Sequence, residues 1–399
     1  MNVTKVGRTM DKLDIQPFKI RIPDIDVADL SERIKRTRWP DEYQNSNWDT
    51  GTDKTYLKAL LEYWTSGYDW RAQEAKLNLL TQFVARIGNN DIHFVHARSQ
   101  VPGALPIIIT HGWPGSFIEI IELIPMLTDP ARFGGNPNAA FDVVVPSLPG
   151  FGFSSRPAQP GTSLVAIADI WAILMKGLGY QKFGAQGGDF GASISIWLAR
   201  KHPELVKGLH LNMIPASLRP ARKTIEAAPL TQQEKAFMEA GRIFAEREGG
   251  YSHIQRTKPQ TLGYGLNDSP AGLAAWMVEK FKAWSDSGGD IESAFSRDVL
   301  LTNISIYWFT GTVTSSMRLY SEAAKSPLQL KEAERIKPPL GFASFPKELV
   351  VPPLEWVERF FDVAQWTDMP RGGHFAALEQ PELLAKDIRA FFQSSRTIV

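Results

Sequence analysis

The chain has 399 residues, 43% of them hydrophobic and 22% charged, a formal net charge of +1 and no cysteine. This is the composition of a globular protein with material for a large core, and it excludes disulfides, cysteine-ligated metals and a cysteine nucleophile. No basic run invites nucleic acid or anionic lipid, the polar opening residues form no secretory signal, and no apolar run reaches the ~18 residues of a membrane span, so a cytoplasmic protein is expected.

In chain order, residues 18–22 alternate apolar and polar up to Pro23 and predict a short strand. From Asp26 the period turns helical, with Val27, Leu30 and Ile34 on one face, until Arg38-Trp39-Pro40 ends it. Leu57, Leu60, Leu61 and Trp64 predict a second helix closing at Gly67, and residues 70–77 a third. Trp and Tyr crowd this region, which predicts that it packs onto a larger body; the sharper alternative is that some rings line a pocket. Strands follow at 81–87 and 92–96 around a Gly88-Asn89-Asn90-Asp91 turn, then a buried strand at 105–110. Helix 117–127, strand 141–145, helix 164–178, strand 182–185, a helix to about Arg200 and strand 206–211 complete an alternation. Such alternation implies a parallel sheet with helices on both faces.

From Pro215 to Pro339 only helical patterns and loops remain, at 234–247, 273–284, 299–309 and 315–324. Strands at 340–345 and 361–367 and an amphipathic helix at 381–392 close the chain. The expected organisation is an N-terminal extension over 1–79 wrapping the body, a core over 80–213 and 338–399, and a helical cap over 214–337 inserted before the last two strands. That is the α/β-hydrolase plan.

Within it, Gly187-Gly188-Asp189-Phe190-Gly191 follows a strand and precedes a helix. This is the spacing of a nucleophile elbow with aspartate at the position usually held by serine. The bland alternative, an aspartate N-cap, does not call for the flanking glycines. A carboxylate attacking a saturated carbon leaves an ester that water can cleave, whereas an alkoxide would leave an inert ether. An aspartate elbow therefore suits epoxides or alkyl halides. His111-Gly112-Trp113-Pro114-Gly115-Ser116 follows the 105–110 strand, where this fold takes one oxyanion-hole amide; Trp113 and Phe190 are the candidates. Of the seven histidines, only His374 follows the last strand in the order nucleophile, acid, base. Glu348 is the candidate acid, with Asp362 and Asp368 as competitors. Ring opening needs a proton donor above Asp189, and the cap holds Tyr251, Tyr264, Tyr307 and Tyr320.

Together these motifs resemble the epoxide hydrolases of the α/β-hydrolase superfamily, in the branch with microsomal, juvenile-hormone and fungal members. Arg38-Trp39-Pro40 and Tyr68-Asp69-Trp70-Arg71 look like that branch's N-terminal extension. The HGWPGS loop, Pro146-Ser147-Leu148-Pro149-Gly150, Gln186-Gly187-Gly188-Asp189, Phe345-Pro346-Lys347-Glu348-Leu349 and Arg371-Gly372-Gly373-His374-Phe375 match as well. The resemblance implies Asp189 as nucleophile, His374 as base and Glu348 as acid. It also selects Tyr251, in Gly250-Tyr251-Ser252-His253-Ile254-Gln255, and Tyr320, in Arg318-Leu319-Tyr320, as ring-opening groups. It implies no metal or organic cofactor. No counterpart of the microsomal branch's membrane anchor is expected here. The implied reaction turns a small-molecule epoxide and water into a vicinal diol. Alternatives are a haloalkane dehalogenase, which Phe190 disfavours because a tryptophan commonly follows that nucleophile, and a silent ligand-binding protein. The aromatic N-terminal segment also offers a surface for docking or a homodimer.

Overall fold

The computed structural model describes residues 13–220, 225–226, 228–331 and 334–394; the polar opening residues lie outside it. Its sheet has nine strands: β1 (Ile15–Phe18), β2 (Gln82–Ile87), β3 (Asn90–Ala97), β4 (Leu105–Thr110), β5 (Phe141–Pro146), β6 (Phe183–Gly187), β7 (Val206–Leu211), β8 (Ile336–Ser344) and β9 (Phe361–Asp368). Their spatial order is β1-β2-β3-β5-β4-β6-β7-β8-β9. The pairs from β5 to β9 are parallel, and β1 to β3 are antiparallel with their neighbours. This is the α/β-hydrolase fold with its mostly parallel sheet.

Helices Leu164–Gly177 and Asp189–Lys201 pack on each other, and helices Leu123–Thr128 and Pro381–Gln393 also pair. All five residues of β6 are buried, as expected where a strand is covered on both faces. Between β7 and β8 runs the helical insert, with helices Gln232–Arg247, Gly250–Thr257, Pro259–Asp268, Pro270–Trp284, Arg297–Thr310 and Val313–Lys325. Among the described residues no helix is long and apolar enough to cross a membrane.

Four of the departures of the structure from the sequence reading have a clear local reason. The first strand is Ile15–Phe18, not 18–22. Ile20 and Ile22 are buried, but side chains rather than a strand complete their backbone bonds. Asn78 bonds both Ile20 N–H and Ile20 C=O at 2.8 Å, and Glu74 accepts from Ile22 N–H at 2.7 Å. The single helix expected over 117–127 is a short 3₁₀ turn, Phe117–Ile120, then helix Leu123–Thr128. Pro125 lacks an N–H and would collide with the preceding turn, so it is confined to the first turn of the second piece. Helices Gly250–Thr257 and Pro259–Asp268 had no clear pattern because Gly250, Gly263 and Gly265 lower propensity, although Pro259 at the first position is a start signal. β8 begins at Ile336 and accommodates Pro338 and Pro339 because β7 pairs with it only from Leu340 onward.

Four of the N-terminal aromatics go to the insert. Tyr63 donates its hydroxyl to Asp298 at 2.8 Å, and Trp64 donates its indole N–H to Ser305 at 3.0 Å. Tyr68 shares a 3.1 Å bond with Thr302, and the Trp70 ring lies 4.9 Å from that of Phe309. All four partners are on helix Arg297–Thr310. Two ion pairs hold the ends of the insert to the body. Arg359 grips the fully buried Glu234, and Arg200 binds Glu334 at 2.6 and 2.8 Å.

Candidate active site

Strand neighbours decide which loops meet. β4 and β6 are adjacent and in register, with Thr110 opposite Gly187. The HGWPGS loop and the elbow therefore leave the sheet side by side at its carboxyl end, where ligands of open α/β sheets bind. β8 and β9 are also adjacent, with Ser344 opposite Asp368, so the loops carrying Glu348 and His374 rise together. A further bridge joins Lys347 to Gly373.

Asp189 holds the left-handed conformation, φ +47°, at the start of helix Asp189–Lys201. Such a conformation is strained for a residue with a side chain and is found at sites held by their surroundings. Its neighbours explain the glycines. A Cβ on Gly191 would stand 1.9 Å from Thr110 O, one on Gly187 2.3 Å from the Gly191 carbonyl carbon, and one on Gly112 2.3 Å from the Asp189 Cβ. Backbone, not flexible side chains, fills most of that space.

The two oxygens of Asp189 have different environments. The Trp113 N–H donates to Oδ1 at 2.9 Å. His374 Nε2 lies 3.6 Å from Oδ2, and its Nδ1–H donates to Glu348 Oε1 at 2.7 Å. Phe190 follows Asp189 in the first helical turn, its ring edge-on to Tyr320 at 4.7 Å. Burial opposes protonation of His374, yet the Glu348 and Asp189 carboxylates outweigh it and raise its pKa well above the ordinary value. Asp362 and Asp368 belong to β9, where Asp368 accepts from the Trp366 indole at 2.9 Å.

The four cap tyrosines separate by position. Tyr264 is 72% exposed. Tyr307 is buried and donates to Gly115 O at 2.6 Å, bracing the HGWPGS loop from above. Tyr251 lies parallel to Trp113 at 5.4 Å, and Tyr320 meets Trp113 edge-on at 5.7 Å. The two tyrosine rings are 5.8 Å apart. Burial, then the Asp189 charge, pushes the Tyr251 phenol upward; burial, then Tyr251 and Asp189, does so for Tyr320.

Several supporting residues were given no individual role by the sequence. His111 accepts from Leu148 N–H through Nε2 at 3.2 Å, so its proton is on Nδ1 and goes to Gly112 O at 3.0 Å. Burial pushes its pKa down to about 4, which keeps it neutral. Asn303 donates to Pro114 O at 2.9 Å and accepts from Ser116 at 2.7 Å. Glu379 accepts from the N–H groups of Asp286, Gly373 and Phe375 at 2.7, 3.0 and 3.0 Å and so frames His374. Glu119 points into a cavity of about 20 Å³, room for one water, shared with Asp189, His374, Gln186 and Asn212. Its carboxyl occupies the side-chain space above Gly115, where a Cβ would stand 1.4 Å from Glu119 Oε1. Burial pushes Glu119 up to about 8; the His374 charge opposes this and the Asp189 charge adds to it.

Residues 15–120 match the family described as Epoxide hydrolase N terminus, and residues 106–248 match the alpha/beta hydrolase fold. The chain is 41% identical to Epoxide hydrolase 1 of Oryctolagus cuniculus, over 94% of this chain and 88% of that one. It is 36% identical to Juvenile hormone epoxide hydrolase 1 of Ctenocephalides felis, over 94% and 85%. The structure of Aspergillus niger epoxide hydrolase superposes with a TM-score of 0.82 at 31% identity, covering 96% of this chain and 97% of that one. The chain belongs to the epoxide hydrolase family.

As an epoxide hydrolase it acts on small-molecule substrates. The space in this epoxide hydrolase between the Asp189 carboxylate and the two tyrosines is walled by rings. Trp284 lies 5.0 Å from Tyr251 and 5.2 Å from His374, joining the aromatic wall to the imidazole.

Proposed function

We propose that this epoxide hydrolase works through a covalent ester on Asp189. Oδ2 attacks an epoxide carbon, the C–O bond breaks, and the ring oxygen is received by the hydroxyls of Tyr251 and Tyr320. The second step returns the enzyme. Water held beside His374 and Glu119 gives a proton to His374 Nε2 and attacks the ester carbonyl, whose developing charge lies at Oδ1 against the Trp113 and Phe190 amides. Glu348 orients the imidazole and offsets its charge. The product is a vicinal diol, and no step calls for a cofactor.

The observation that carries this reading is the difference between the carboxylate oxygens. Oδ1 accepts from the Trp113 amide at 2.9 Å, while Oδ2 is the one 3.6 Å from His374. A helix-capping aspartate would use its side chain on its own helix. His374 also changes through the cycle. The Asp189 carboxylate helps to hold it protonated in the free enzyme. Esterification removes that charge and lowers its pKa, so it becomes a base when water must be activated.

Replacing His374 by Gln tests the sequence of steps. With an aryl epoxide the variant is expected to gain the mass of one substrate per chain, on a peptide containing Asp189, while diol release stops. Diol formation at the normal rate without that adduct would sink the proposal. We further propose a cytoplasmic location, tested by fractionation. The remaining proposal is a homodimer through the exposed Trp39 and Tyr43 (36% and 80% exposed), tested by sedimentation velocity, where a monomer would overturn it.

A further inference from the structure

We propose that Lys280 is a positioning cation that makes Tyr251, and not Tyr320, the proton donor of ring opening. The inference rests on the roles proposed above for Asp189 and Tyr251, and it goes beyond them by dividing the work between the tyrosines.

Lys280 lies on helix Pro270–Trp284, one turn before Trp284. A lysine on a cap helix ordinarily extends its ammonium into water. Here the side chain is only 8% exposed. Its Nζ lies 4.9 Å from the centre of the Tyr251 ring and 5.7 Å from that of Trp284. Its carboxylate partners are more exposed: Glu279 at 2.5 Å with 25% of its side chain accessible, and Glu248 at 3.9 Å with 42%. The ammonium thus sits between outer carboxylates and inner rings. Among the described residues no lysine or arginine lies over the ring of Tyr320.

The charges around Tyr251 give this position its consequence. Burial first, then the charges of Asp189, Glu279 and Glu348, disfavour a phenolate on Tyr251, and they outweigh the hydrogen bond from Tyr320 that favours one, so the resting phenol keeps its proton. A donor must also tolerate the charge left after the proton departs. Lys280 lies over the ring across which that charge spreads; Tyr320 has burial, Tyr251, Asp189 and Tyr307 against its ionisation. In the step, Asp189 Oδ2 forms its bond to carbon and the epoxide C–O electron pair stays on oxygen. That oxygen takes the Tyr251 proton, and Tyr320 only donates a hydrogen bond. The Tyr251 phenolate then takes the proton of His374, whose pKa falls once Asp189 is esterified. In the water step one proton passes to His374 and stays there, and the other, on the new Asp189 carboxyl, goes to the departing glycol oxygen. Epoxide plus water gives diol, with every proton accounted for.

Rapid-quench mass spectrometry with styrene oxide measures the rate at which the Asp189 ester forms. Lys280→Met is expected to slow it about tenfold or more, equivalent to a unit of donor acidity or beyond, and to leave ester breakdown unchanged. Lys280→Arg should restore most of the rate. The loss should disappear in a Tyr251→Phe background and persist in full in a Tyr320→Phe background, which a purely structural lysine would not do. An unchanged ester-forming rate in folded Lys280→Met, or equal losses in both backgrounds, overturns the inference. Should Lys280→Met fail to fold, Glu279→Gln decides: removing the carboxylate while keeping the ammonium should speed ester formation, and an unchanged or slower rate overturns the proposal. If Tyr251→Phe itself leaves ester formation intact, the underlying reading fails; if it slows ester formation and the Lys280 variants do not, only this inference does.

Discussion

Glu119 shows how one enclosed carboxyl couples chemistry to stability. Its pKa is raised from 4.5 to about 8, first by burial. A group whose folded pKa lies above its unfolded value stabilises the fold below the unfolded pKa, and that contribution is lost as pH rises through the folded one. The native protein should therefore lose stability between about pH 4.5 and about pH 8 as this carboxyl is forced to ionise. Glu119→Gln should lose less over the same interval, by on the order of a few kcal/mol, and denaturant midpoints at the two ends measure it. An identical pH dependence in the variant would show that the site is better hydrated than its surroundings imply. Glu119 carried no signal in the sequence because nothing local marks it. It stands four residues after a glycine whose missing side chain it replaces, which only the folded loop reveals. Asp189 and His374 were legible because each sits in a glycine-framed motif. The tyrosines were intermediate: four stood in the cap, and what sets Tyr251 and Tyr320 apart is their contact with Trp113.

At the level of elements, the insert is tied down where it leaves and rejoins the sheet. Glu234 closes a capping box with Thr231 at the start of helix Gln232–Arg247, and its fully buried carboxylate is met by Arg359 from the body. The Arg359 guanidinium also donates to Ala228 O at 3.2 Å, so one side chain fixes the whole approach to the helix. Arg359→Ala should destabilise the protein by about 3–5 kcal/mol, because it strands a buried charge. Lowering the pH will not mimic this gently. The Arg359 partner holds Glu234 below the ordinary carboxylate range, so the pair's contribution is present above that range and is lost as pH falls through the lowered value. Thermal unfolding of wild type and variant across acidic pH checks both parts; a variant as stable as wild type would contradict the clamp. The element types were mostly readable from period and punctuation. The exceptions have physical causes, namely side chains standing in for a strand at Ile20 and Ile22, and a proline that splits a helix at Pro125.

Across the whole molecule, the N-terminal segment, the insert and the HGWPGS loop form one chain of contact. Trp64 bonds Ser305 on helix Arg297–Thr310, and from the same helix Asn303 and Tyr307 bond the carbonyls of Pro114 and Gly115. Trp64→Ala should cost about 3–5 kcal/mol as a large buried ring is removed. It should also lower the rate of Asp189 ester formation, since the helix that steadies the loop loses its support. Calorimetry and the rapid-quench assay together measure this, and a stability loss with no change in rate would separate the two functions. The sequence by itself determined the alternating architecture, the aspartate in its glycine turn and the histidine after the last strand, because hydrophobic period and glycine spacing are local properties. Tertiary structure alone decided that β4 lies beside β6 and β8 beside β9, that Glu348 rather than Asp368 reaches His374, and which rings and charges surround Tyr251. Those are distances between residues far apart in the chain, and they exist only once the sheet order and the packing of the insert bring them together.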